Sequence, residues 1–256
     1  MTSHMIAWFE NVNNVTDSEL NVVADDILVQ PTAERFFVPA EYNHIHKALL
    51  LADNITRGRI VTPSLEVRRS RPTIVPHARD AAISLVNPKV YMPANPIELV
   101  PGEEISVRVT NPTAGEDTWA ILQLAKAALD PIPDGDIRRV RCTSATTLTD
   151  SAWTSCTLVP DEQLEAGEYE LINFLATGVS VIAARAIIQG QAWRPGVIGF
   201  PGASEQVALD FASDWYNVNK PHAMGRFPHN LLPRVQYLAS AADTAQVVYL
   251  DIVKVG

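Results

Sequence analysis

The sequence predicts a mainly β protein: a β-sandwich of the jelly-roll type, with one or two short helices in its N-terminal third. Three observations carry this. Short runs rich in β-branched and aromatic residues recur at intervals of about 8–16 residues with turn signals between them. Eighteen prolines against twelve glycines point to rigid connections and edge positions. The closing stretch, 245–255, reads as a strand ending almost at the last residue, which is expected to pair inside a sheet.

The early runs are short. Those at 27–30, 35–38 and 59–62 each stop at a proline: Pro31, Pro39 and Pro63. The run 104–110 alternates cleanly, with Ile105, Val107 and Val109 on one face and Ser106, Arg108 and Thr110 on the other. Pro101-Gly102 opens it and Asn111-Pro112 closes it. Further strands are expected at 118–125, 137–143, 153–159, 167–174, 179–188, 235–238 and 245–255. The best helix candidate is 40–54, where Pro39 can start it, Asn54 can stop it, and Ile45, Leu49 and Ala52 share a face. Residues 17–26 suit a short helix. Residues 118–129 contain good helix formers, although their first half reads better as a strand. No internal repeat or low-complexity tract is visible. The chain is expected to form one β-rich domain over 1–256. The proline-rich stretch 63–101 marks a subdivision into an arm-and-helix region, 1–95, and a sandwich, 96–256.

Hydrophobic residues make up 47% of the chain and charged residues only 19%, below the usual quarter. Much of the surface is therefore uncharged, as expected where neighbouring subunits cover it, though compact enzymes share that trait. No apolar run approaches the roughly 20 residues that cross a bilayer. The opening residues lack the basic region and apolar stretch of a signal peptide, so synthesis in the cytoplasm without export is expected. A net charge of −9 excludes a nucleic-acid sleeve over the whole surface. The charge is uneven, however: residues 47–79 hold seven Lys/Arg (Lys47, Arg57, Arg59, Arg68, Arg69, Arg71, Arg79) against Asp53 and Glu66. This basic segment suits an anionic ligand such as genome nucleic acid, an internal membrane, an acidic face of a neighbouring copy, or simple solvation.

Candidate chemistry is sparse. Cys142 and Cys156 sit symmetrically about Thr149. A hairpin turn at 148–151 would set them opposite each other at the Cβ separation of about 4.5–5.5 Å found in directly opposed pairs, near disulfide range. Buried free thiols are the alternative. His44 and His46 share a face only on a strand, and no third ligand stands at the usual spacing, so no metal or cofactor is expected. The run 196–202 has glycines but neither a phosphate-loop Lys-Ser/Thr nor a dinucleotide spacing. No Gly-x-Ser-x-Gly elbow exists, and Asp25-Asp26 and Glu103-Glu104 would point to opposite strand faces. No catalytic residue is assigned. Arg68, Arg69 and Arg71, with Arg57 and Arg59, form a candidate contact for phosphate or for another subunit, because guanidinium groups bind oxyanions in a bidentate manner. Trp193, Trp215, Tyr216 and Phe227 are candidate interface aromatics, with the core or a sugar platform as the alternatives.

The latter half contains LEAGEYEL (164–171), SVIAARAII (180–188), WRPG (193–196), MGRF (224–227) and AADTAQVVYLDIVKV (241–255). In style it resembles the jelly-roll coat proteins of small viruses, particularly bacteriophages. The resemblance implies a capsid subunit found in the virion, with copies of itself and other virion proteins as partners and no catalytic activity. The N-terminus departs from many RNA-virus coats in being neither strongly basic nor of disordered composition. A second reading is a carbohydrate-binding or adhesion module of a spike or tail, using the loops around Trp193 and Trp215. A third is a β-sandwich enzyme, for which no acid, base and nucleophile set converges.

Overall fold

The computed structural model describes residues 4–14, 17–23, 25–52, 55, 57–76, 93, 95–110, 116–192, 194–198 and 220–256. These form antiparallel sheets with a single short helix, so the mainly β expectation holds. The chain gathers into two compact units. One comprises Ile6–Asp80 and Asn87–Ala128; the other comprises Met1–Met5, Ala81–Val86 and Leu129–Gly256.

The N-terminal unit carries β1 (His4–Asn14) from Ile6 onward, its first two residues belonging to the other unit, then β2 (Ser18–Glu19), β3 (Asn21–Val22), β4 (Phe36–Phe37), β5 (His44–Leu51) and β6 (Arg57–Val61). Helix α1 (Pro63–Val67) follows, then β7 (Thr73–Ile74), β8 (Ile97–Glu98), β9 (Glu104–Thr110) and β10 (Glu116–Ala125). One sheet runs β3-β1-β10-β5-β8; the other runs β2-β9-β6-β7, with β4 added against β9. The two sheets meet through their apolar faces. Gly58 on β6 lies so close to Leu50 on β5 that a Cβ would stand 2.9 Å from its Cδ2. Phe9 on β1 lies 5.7 Å from Phe36 on β4, centroid to centroid. A methyl group at 58 would therefore require the end of the Leu50 side chain to shift.

The C-terminal unit carries β11 (Ile137–Ser144), β12 (Thr154–Cys156), β13 (Val159–Pro160), β14 (Glu168–Thr177) and β15 (Val181–Ile187). It ends with β16 (Gly196–Ile198), β17 (Gly225–Pro228), β18 (Arg234–Ala239) and β19 (Gln246–Lys254). The sheets run β13-β11-β19-β14-β17 and β12-β18-β15-β16. One core joins them, drawing Val140, Phe174, Leu250 and Ile252 from the first sheet and Cys156, Ala184, Val235 and Tyr237 from the second.

The strand orders of the two units agree. In each, a short edge strand (β3, β13) pairs with the first principal strand (β1, β11). Numbering the remaining principal strands of each unit along the chain, and leaving out β4, one sheet reads first-eighth-third-sixth and the other second-seventh-fourth-fifth. No sequence repeat announces this, because strand order depends on pairing partners far apart in the chain.

The expected helices are corrected. Residues 44–51 form β5, paired along its length with β10, and their burial is nearly continuous from Lys47 to Leu51. The apolar run Ala48 to Ala52 satisfies a helical stripe and a buried central strand equally well, and tertiary pairing decides for the strand. Residues 17–26 hold β2 and β3 instead of a helix. The helix that does form, α1, begins where Thr62 caps it by accepting from the Leu65 amide and Pro63 supplies its fixed φ. The strand reading of the first half of 118–129 agrees with β10.

Candidate interaction surfaces

The arginines marked by the sequence divide into two groups. Arg57 and Arg59 project from β6 away from the core, because their neighbours Gly58 and Ile60 are buried on the inner face. Arg59 stands directly opposite Arg108 on β9, and Arg57 stands opposite Thr110. On the far side of Arg108, Glu19 of β2 is its direct neighbour, but both Glu19 oxygens are held by Arg35 at 3.2 Å. Arg35 also donates to Glu104 at 3.0 Å, and these two acids hold its pKa above the ordinary arginine value. Arg68 and Arg69 close α1. Arg68 spends its guanidinium on backbone carbonyls, Ser64 O at 3.3 Å and Glu98 O at 2.7 Å. Arg69 takes a φ of 54°, and both Arg69 and Arg71 are exposed. Arg79 lies outside the described residues. Arg108 was visible in the sequence only as an outward strand residue; its pairing with Arg59 bridges 49 positions and could not be read.

Beside α1 a groove of about 620 Å³ is lined by Pro63, Ser64, Val67, Arg68, Leu99 and Val100 among others. Glu103 fixes its wall, accepting from the Ser64 amide at 2.9 Å, the Ser64 hydroxyl at 2.7 Å and the Val100 amide at 2.8 Å. Val67 is 84% exposed and Val100 53%, so the rim of the groove is apolar and uncovered. In the C-terminal unit a second groove of about 700 Å³ runs between 157–166 and 229–234, with Glu162, Gln163, Asn230 and Arg234 among its polar lining residues.

Most other polar clusters brace strands. Arg139 on β11 donates to both oxygens of Asp251 on β19, at 2.7 and 3.2 Å. Arg226 on β17 donates to Glu170 on β14 at 3.1 Å. Buried Arg185 donates to Gln236 at 2.7 Å and lies 4.1 Å from the Trp153 ring centroid. His222 Nδ1 faces the Lys220 carbonyl at 2.8 Å, and its Nε2 lies 2.7 Å from Nδ1 of His4.

Two expectations change. Phe227 is 3% exposed, stacked on Tyr169 at 6.0 Å within the core, so it is not an interface aromatic. Trp193, Trp215 and Tyr216 lie outside the described residues. The cysteines do not share a hairpin: β11 pairs with β13 and β19, whereas β12 pairs with β18 in the other sheet. The turn at 148–151 thus carries the chain from one sheet to the other, and both thiols are free and buried. Burial pushes the Cys142 thiol up to about 12, and it raises that of Cys156 against hydrogen bonds from Ser144 and Thr146. Both thiols are therefore expected to resist iodoacetamide in the native protein at about pH 8 and to react fully once it is unfolded. Mass spectrometry of the alkylated chain checks this, and native labelling at either position contradicts it.

His44 and His46 do share a strand face, as a strand placement requires. His46 Nε2 donates to the Lys126 carbonyl at 2.7 Å, and burial lowers its pKa. Among the described residues no group of three or more His, Cys, Asp or Glu is placed to hold a metal. None of their helices is long and apolar enough to cross a membrane.

No family model matches the chain, and no curated protein is similar to it. Among solved structures it is similar to the major capsid protein P2 from bacteriophage PM2, at 11% identity over 98% of each chain, with a TM-score of 0.26.

Proposed function

We propose that the chain is a self-assembling coat subunit of a bacteriophage virion, built from two jelly rolls in tandem and without a catalytic step of its own. The observation that supports this reading is the strand order made twice, eight principal strands in two sheets in each unit, which we read as a jelly roll. Jelly rolls also serve as lectins and cupins, so the order alone does not choose among them. The low charge content and the uncovered valines beside α1 favour a surface meant for copies of the same chain. Each contact is weak and the shell is held by their number.

Negative-stain microscopy and sedimentation of the purified chain test the reading. Rings, capsomers or shells are expected near neutral pH. A monomer at high protein concentration overturns it. Burying one valine contributes about 1.5 kcal/mol, so Val67→Asp with Val100→Asp is expected to weaken each contact at least tenfold. Because both side chains are exposed in the single chain, the monomer's unfolding curve is expected to stay unchanged.

A further inference from the structure

The geometry points to an oxyanion-binding face on the outer side of the β2-β9-β6-β7 sheet, formed by Arg57, Arg59 and Arg108, whose ligand is the phosphodiester backbone of a nucleic acid. Two observations carry it. Arg59 and Arg108 are directly opposed on adjacent strands, an arrangement that puts their Cβ atoms about 4.5–5.5 Å apart and is unfavourable for like charges. Nothing among the described residues relieves it: neither guanidinium has a hydrogen bond or carboxylate partner, and the neighbouring Glu19 is held by Arg35. Independently, Nε of Arg59 is buried without a hydrogen-bond acceptor, and an unmet donor on a cation is costly. An oxyanion seated between the two arginines would remove both penalties at once.

The rest of the face fits a polymer better than a single anion. Arg57 repeats the charge two residues along β6, about 6.6 Å from Arg59 at the usual strand rise. Arg57 also has no hydrogen bond or ion pair among the described residues, and it faces Thr110 across the ladder. Thr73 of β7 stands opposite Arg59, its hydroxyl donating to the Arg71 carbonyl at 3.1 Å, so the charge on this row is carried by the arginines alone. The chain's overall charge of −9 then confines binding to this face and keeps it weak and salt-sensitive. This inference stands apart from shell formation, since the groove beside α1 is made of other residues.

Fluorescence anisotropy of a labelled oligothymidylate with the full-length protein, between about 50 and 200 mM salt, tests it. The wild type is expected to bind with a linear fall of log K against log salt. Arg57→Gln with Arg59→Gln and Arg108→Gln is expected to flatten that slope by about 2, from the 0.7 per phosphate contact found for single strands. Arg59→Gln alone separates binding from folding: it relieves the opposed charges, so its melting temperature should equal or exceed the wild type's while affinity falls. Inorganic phosphate should compete only at high concentration. Four results overturn the inference: no wild-type binding at low salt, an unchanged slope in the triple variant, binding to phosphatidylglycerol vesicles but not to the oligonucleotide, or a triple variant that loses self-association while keeping its nucleic-acid affinity.

Discussion

Replacing Arg139 with alanine is expected to destabilise the C-terminal unit more at neutral pH than at acid pH. Asp251 sits in the middle of β19, 3% exposed, with Arg139 directly opposite on β11 and buried Asn173 opposite on β14. Removing the partner of a buried charge costs about 3–5 kcal/mol; the low end applies here, because the Arg139 side chain is 36% exposed and water can replace part of it. Burial raises the Asp251 pKa above its ordinary 3.8, and the Arg139 hydrogen bonds hold that rise in check. The folded chain therefore binds this proton more tightly than the unfolded chain does. The resulting stability is present in full below the unfolded value and is lost as pH rises through the folded one. Without Arg139 the folded value climbs further, and the window widens towards neutrality. Urea unfolding at about pH 5 and about pH 8 should show a markedly smaller loss for Arg139→Ala at the lower pH. Asp251→Asn, which removes the buried charge, should cost less than Arg139→Ala at about pH 8. Equal losses for Arg139→Ala at both pH values would show that the carboxylate is not the source of the effect.

How much of this was legible in the sequence depends on the range of the interaction. The strand 104–110 is realised with the expected bounds and faces, since alternation of Ile105, Val107 and Val109 is a local signal that pairing only reinforces. The last strand occupies Gln246–Lys254, within its expected span. Where both faces of a strand are apolar, as in Ala48 to Leu51 of β5, alternation disappears and the run mimics a helix. The cysteine hairpin failed because symmetry about a turn says nothing about which sheet each arm joins. The sharpest losses are the pairs that bring remote residues together. Arg108 carried an outward position in the sequence but no hint of Arg59, and His4 gave no sign of a partner 218 residues away. The repeated strand order is invisible for the same reason: it is a property of pairing and leaves no mark on composition.

His222→Ala is expected to be the most damaging single change among the polar braces. Lys220 O can only accept, so His222 Nδ1 carries a proton and its Nε2, in the neutral ring, is an acceptor. The 2.7 Å contact then requires His4 Nδ1 to donate, while His4 Nε2 lies 2.9 Å from the Gly196 carbonyl and 3.1 Å from its amide. The proton order from His4 Nδ1 through the His222 ring to the Lys220 carbonyl is thus continuous. His4 is 0% exposed and His222 4%, so neither ring has water to fall back on. Alanine removes the acceptor from His4 and opens a void beside a ring held edge-on at 4.6 Å. An orphaned buried donor costs about 1–3 kcal/mol and the cavity adds to it, giving roughly 3–4 kcal/mol in all. His222→Gln keeps a side-chain acceptor and much of the volume, so it should recover at least half of the loss. Urea unfolding of the full-length protein at about pH 8, where both rings are neutral in the unfolded chain, measures the two variants. If glutamine proves as destabilising as alanine, shape and not the proton chain is what the pair provides.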